Sequence, residues 1–106
     1  MPDEIFEFHG QRFDWDESKN INNIEKHGIP FKEAATVFRD DCAVIIDDEI
    51  HSQDEERFKI IGFSGNARLL IVCHCYRSNE NDEEIVRIFS AWKATQGEND
   101  IYGGNI

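Results

Sequence analysis

The sequence predicts an α+β domain. Two short N-terminal helices and a short C-terminal helix pack on an antiparallel sheet of about four strands, with short N-terminal strand segments added. Three observations predict it. Apolar residues between Phe31 and Phe38 recur at helical spacing. After Asp40 the period changes to two, in segments separated by turn residues or acids. The chain has 106 residues, 40% hydrophobic with eight Phe, which suits one core and one domain spanning residues 1–106.

The elements follow in order. Ile5 to Phe8 alternates apolar and polar residues, as a short strand does. Gly10 can turn the chain, and Gln11 to Trp15 returns as a second strand. Asp14 or Asp16 caps the next helix, with acids in the first turn where the dipole favours them. Ile21 and Ile24 supply its apolar spacing, Lys26 and His27 sit in its last turn, and Gly28 suits the C′ position. Pro30 fits the entry to a second short helix, striped by Phe31, Ala34, Ala35 and Phe38. The two helices make an αα-hairpin.

Ala43 to Ile46 reads as a short apolar strand and Asp47 to Glu56 as an acidic loop. Arg57 to Phe63 alternates, with Phe58 and Ile60 on one face and Arg57 and Lys59 on the other. Ser64 to Ala67 is a tight connection. Arg68 to Tyr76 is the most apolar strand and is expected at the centre of the sheet. After the acidic loop Ser78 to Glu84, Ile85 to Ala91 is the last strand. Thr95 and Glu98 have capping-box spacing. The helix they start is short, because Gly97 lies in its first turn and Gly103-Gly104 stops it.

The formal net charge is -11, from 11 Lys+Arg against 22 Asp+Glu. Such a balance disfavours loose binding to nucleic acid or to an anionic membrane. The longest apolar run, Leu69 to Cys73, excludes a transmembrane helix. Met1 to Glu7 carries acids and no apolar stretch, so no signal peptide is expected. The three Cys read as reduced thiols of a cytoplasmic protein, since Cys73 and Cys75, two apart in a strand, are a poor pair for a disulfide. His74 points to the opposite face from those two thiols, so no metal site and no cofactor are expected.

The bases are not spread evenly. Arg57 to Asn79 holds four basic residues and no acids, and Ile85 to Gln96 holds two and none. Arg57, Lys59, Arg68, Arg77, Arg87 and Lys93 therefore form a locally positive lane. Such a lane can hold phosphates and stabilise charge developing in phosphoryl transfer. Metal-free RNA cleavage needs in addition a base for the 2′-hydroxyl proton and an acid for the leaving oxygen. His51, Glu98, Tyr102 and Lys93 have the chemistry. Outward Arg residues also commonly pair across strands or simply meet solvent.

The run Phe13-Asp14-Trp15-Asp16-x-x-Lys19, followed by Asn23-x-x-Lys26-His27-Gly28-Ile29-x-Phe31-x-Glu33-Ala34, resembles the N-terminal signature of the BrnT family of bacterial toxins. His51, Glu55 and Arg57, then Gly62, Arg68-Leu69-Leu70 and Val86-Arg87-Ile88-x-Ser90-Ala91-x-Lys93-Ala94-Thr95-x-x-Glu98-x-x-x-Tyr102, continue the resemblance to residue 102. It implies a fold like that of the RelE-type ribonuclease toxins. It implies a type II toxin–antitoxin ribonuclease that needs no metal and arrests growth. The implied partners are a ribbon-helix-helix antitoxin, RNA as substrate, and DNA only through the antitoxin, with a possible dimer in that complex.

Position by position, the resemblance carries catalytic expectations to Arg57, Arg87, Lys93 and Glu98, and to Arg77 just after the central strand. RNA contact is expected of His51, Arg68, Trp92 and Tyr102. Glu98 serves either acid–base chemistry or the capping box with Thr95, and Tyr102 either stacks on a base or packs on the sheet. Trp92 stands where the family commonly has Arg. That exchange and the net charge support a second reading, a weak or inactive domain that only binds an antitoxin-like partner and shares in operon control.

Overall fold

A computed structural model describes residues 3–103. The strands are β1 (Asp3–Phe8), β2 (Gln11–Asp16), β3 (Val44–Asp47), β4 (Phe58–Phe63), β5 (Leu69–Ser78) and β6 (Glu84–Lys93). The helices are α1 (Glu17–His27), α2 (Phe31–Thr36) and α3 (Gln96–Gly103). A 3-10 turn, Val37–Arg39, continues α2, and another, Glu49–His51, lies in the acidic loop. Gly104, expected to help end α3, lies outside the described residues.

The sheet differs from the expected antiparallel four. It is one six-stranded sheet in the order β1-β2-β6-β5-β4-β3, and it is mixed. The N-terminal hairpin joins it by pairing β2 parallel to β6, Arg12 to Asp14 against Ile85 to Arg87. All other pairings are antiparallel. Alternation within a strand reports which face is buried, not which distant strand lies beside it. β5 and β6 are the central pair, as the apolarity of β5 predicts.

Local signals are obeyed. His9 and Gly10 take φ of 50° and 82°, the left-handed pair a two-residue hairpin turn demands. Asp16, not Asp14, caps α1, accepting from the backbone N–H of Ser18 at 2.8 Å and of Lys19 at 3.3 Å. Gly28 ends α1 at φ 70°. Gly62 allows a close approach, since a Cβ there would lie 3.0 Å from the Ala43 side chain. Among the described residues no helix is long and apolar enough to cross a membrane.

One face of the sheet carries the core. Phe13, Trp15, Ile60, Leu70, Val72, Val86 and Ile88 bury against Ile29, Phe31, Ala34, Ala35 and Val37. Trp15 meets Phe31, and Phe13 meets Phe38, edge to face. Ile21 and Ile24, expected to anchor α1, are exposed instead. The buried residue of α1 is Asn23. The reason is where α1 lies. β2 stops pairing with β6 at Arg87, so the next stretch of β6 would present bare backbone. The Asn23 amide fills that edge, donating to Ala91 O at 2.8 Å and accepting from Ala91 N–H at 3.1 Å. Its second N–H donates to Ile29 O at 2.9 Å, and Asn20 accepts from Phe31 N–H at 2.9 Å. This helix face therefore needs amides, not isoleucines.

Candidate nucleic-acid interface

β6 carries a bulge. Cys73 pairs with Ser90 and His74 with Ile88, which leaves Phe89 without a partner on β5. Two cations lie against the freed ring. The Arg57 guanidinium carbon is 3.8 Å from its centre and the Lys19 ammonium 5.3 Å. Lys19, Lys26 and His27 of α1 face Arg57, Phe89 and Ser90 across an open cleft of about 340 Å³. Asn23 lines the same cleft, so the amide that docks α1 also sets its width. Arg57 Nε is buried with no hydrogen-bond partner among the described residues, and a guanidinium Nη lies 3.7 Å from Glu55. Trp92 extends the site along β6. Lys59 lies 5.8 Å over its ring and the His27 ring 6.4 Å away.

The acidic loop adds a second cleft of about 250 Å³, lined by His51, Glu55 and Arg57. Arg57 thus stands where the two clefts meet. His51 Nδ1 lies 2.9 and 3.0 Å from the two oxygens of Asp48. The Cys73 thiol donates to the same carboxylate at 3.8 Å. Burial pushes that thiol up to about 11, so it stays protonated at neutral pH.

The other expected residues are dispersed. Arg87 is 2.9 Å from Asp3 and 3.4 Å from Asp14, and so ties β1, β2 and β6 together. Arg68 holds both carboxylate oxygens of Glu33 and donates to Gly28 O at 3.2 Å. It joins the turn before β5 to α2 and to the end of α1. Arg77 lies 3.3 Å from Glu55. Lys93 is exposed and pairs in register with Leu70 at the end of β6. Glu98 accepts from Thr95 N–H at 2.8 Å, and its own N–H donates to Thr95 Oγ at 3.4 Å, which is the capping box. It also accepts from Trp92 Nε1 at 3.4 Å. The Tyr102 hydroxyl donates to Asp40 at 2.8 Å, and its ring packs edge to face on Phe63.

His74 lies on the core face, in register with Phe58, while Cys73 is in register with Lys59 on the other. Burial lowers its imidazole to about 4. Among the described residues no group of three or more His, Cys, Asp or Glu side chains is placed to hold a metal ion.

Sequence reasoning left Lys19, Lys26, His27, Phe89 and Asp48 out of the site. A signal existed for three of them. Positions 19, 23, 26 and 27 follow i, i+4, i+7, i+8 spacing, one helix face. Read by charge, that face is cationic; read for isoleucines, it disappears. Nothing local marks Phe89, which reaches Arg57 only because β6 bulges.

Fold and cleft together define a small α+β domain in which Lys19, Lys26, His27 and Arg57 gather with the half-buried Phe89 ring along one helix–sheet groove. The chain belongs to the BrnT family: residues 15–98 match the family described as the ribonuclease toxin, BrnT, of type II toxin-antitoxin systems. Membership in such a system implies an antitoxin partner. The fold is similar to the 1.1 Å crystal structure of the Brucella abortus ribonuclease toxin BrnT, with a TM-score of 0.53 and 23% identity over 77% of this chain and 94% of that one. No curated protein matches the chain.

Proposed function

We propose that this chain is a growth-arresting endoribonuclease that cleaves RNA without a metal in the groove between α1 and β6, until a ribbon-helix-helix antitoxin covers it. Arg57 carries the reading. It is a cation at the junction of two clefts, it lies on an aromatic ring, and its Nε lacks a partner among the described residues. The terminal nitrogens of its guanidinium can hold a phosphate oxygen. Lys19 and Lys26 flank the same phosphate path, and Phe89 and Trp92 offer faces for unstacked bases. These cations can stabilise the charge that develops on a scissile phosphate, the task a metal performs elsewhere. Arg87 and Arg68 serve the fold, since their charges are already matched by Asp3, Asp14 and Glu33.

The acidic remainder of the molecule keeps RNA from binding elsewhere and attracts a basic antitoxin. Contact with DNA is then made only through that antitoxin, in a complex that can hold two copies of this chain. The cytoplasm, where RNA is made, is its place of action.

The commitment of Arg68, Arg77 and Arg87 to acids favours a second reading, an antitoxin-binding domain with little or no cleavage. One experiment separates the two. Purified protein is incubated with single-stranded RNA in EDTA, beside Arg57→Ala, and both are expressed in cells with and without the antitoxin. Cleavage and growth arrest that vanish in Arg57→Ala are expected. Intact RNA and normal growth with the wild-type chain would establish the second reading.

A further inference from the structure

We propose that Asp48 is a positioning residue that holds His51 as the proton acceptor of RNA cleavage. The inference rests on the ribonuclease reading above and assigns its proton transfer.

Asp48 precedes the 3-10 turn Glu49–His51, a place where an Asp side chain ordinarily caps the backbone. It makes no such bond. Both its oxygens lie against His51 Nδ1 instead, at 2.9 and 3.0 Å. The Asp48 side chain is 2% exposed and that of His51 57%. A buried carboxylate is unfavourable unless strongly hydrogen-bonded, and the other donor beside it is the weak Cys73 thiol. The imidazole is therefore its principal partner.

A carboxylate only accepts, so the proton of the neutral imidazole is on Nδ1 and the lone pair is on Nε2. This is how a buried acid selects tautomer and orientation for a catalytic histidine. Hydrogen bonds close the loop on itself. Asp48 N–H donates to Arg57 O at 2.9 Å, and Ser52 Oγ donates to Asp48 O at 2.7 Å while accepting from Arg57 N–H at 2.9 Å. His51 and Arg57 are thus fixed to one closed turn and line one cleft, with Glu55 beside them.

With a phosphodiester on Arg57, the step balances. His51 Nε2 takes the 2′-hydroxyl proton, the 2′ oxygen forms a bond to phosphorus, and the bond from phosphorus to the 5′ oxygen breaks. The departing oxygen takes a proton from water, and the hydroxide left behind recovers the proton from His51. The products end in a 2′,3′-cyclic phosphate and a 5′-hydroxyl. Asp48 compensates the imidazolium formed in between.

The test measures kcat and KM on single-stranded RNA in EDTA, and reads the His51 tautomer from the nitrogen chemical shifts of the labelled full-length chain. Expected are a proton on Nδ1 in the wild type and a kcat about 100-fold lower in His51→Ala with KM nearly unchanged. Asp48→Asn keeps the shape without the charge; kcat should fall and the tautomer preference weaken. RNA with a 2′-deoxy residue at the cleavage site should resist. A wild-type proton on Nε2, or a His51→Ala variant that cleaves at the wild-type kcat, overturns the proposal and leaves the ribonuclease reading standing. A wild-type chain that cleaves no RNA overturns both. His51→Ala leaves the Asp48 carboxylate without its main partner, so its fold is checked by thermal melting, and the wild-type tautomer is measured without any substitution.

Discussion

Asn23 on α1 pairs with both backbone groups of Ala91 on β6, at 2.8 and 3.1 Å, as a neighbouring strand would. The same amide reaches Ile29 O, so both its N–H groups and its oxygen are used. It thereby holds Lys19, Lys26 and His27 against the Phe89 bulge. Structure and site depend on one polar side chain.

Removing it should be felt in both. Asn23→Ala leaves the buried Ala91 N–H and C=O unsatisfied, which costs about 2–3 kcal/mol. Urea unfolding should show that loss of stability, and RNA cleavage should fall with it as α1 loses its position. An unchanged urea midpoint would mean that α1 docks by other contacts.

Arg57 and Arg87 should respond in opposite ways. Arg57→Ala is expected to reduce cleavage about 100-fold with little change in Tm, because its role is toward a phosphate. Arg87→Ala leaves Asp14 and Asp3 unmatched and should lower stability by about 2 kcal/mol. Paired thermal melts and RNA assays on the two variants check the contrast. Loss of cleavage in a fully stable Arg87→Ala chain would return that residue to the catalytic group.

Acid should weaken the fold first through His74. Its ring accepts from the Tyr76 hydroxyl at 3.1 Å and donates to Val72 O at 3.0 Å, so it is buried neutral. Its imidazole lies at about 4 when folded, against the ordinary 6.5. Between those values the unfolded chain binds the extra proton. Stability is therefore full above pH 6.5 and falls toward pH 4, by up to about 3 kcal/mol. Tm measured across that range should slope accordingly, and His74→Gln, which does not titrate there, should flatten it.

A second acid loss lies lower. The Arg68 guanidinium, with help from Ser64, holds the Glu33 carboxyl at about 2 against an ordinary 4.5. A lowered carboxylate stabilises the fold above pH 4.5, and that contribution disappears as pH falls through about 2. Glu33→Gln should remove this limb from the stability–pH curve. Because Arg68 also donates to Gly28 O, Arg68→Ala should loosen the end of α1 as well. Faster amide exchange at Ile29 and Phe31 would register it.

The division between legible and hidden follows interaction range. Asp16 as a cap, the His9-Gly10 turn, Gly28 at the end of α1 and the Thr95–Glu98 box were readable because each involves residues within about four positions. So was the face alternation of β4, which needs only its period of two. The expected apolar face of Ile21 and Ile24 is exposed instead, because helical spacing shows that a face exists, not what it will meet.

By itself, then, the sequence determined the kinds of element, their order and, through its motifs, the family. Only the tertiary structure decided that β2 lies parallel to β6, that α1 docks on an amide, and that Arg68 and Arg87 are matched by acids distant in sequence. It alone left Arg57 against Phe89 with an Nε unpartnered among the described residues. The physical reason is that conformation follows from local sterics and hydrogen bonds, whereas the partner of a charge is set by whichever distant segment packing brings within a few ångströms.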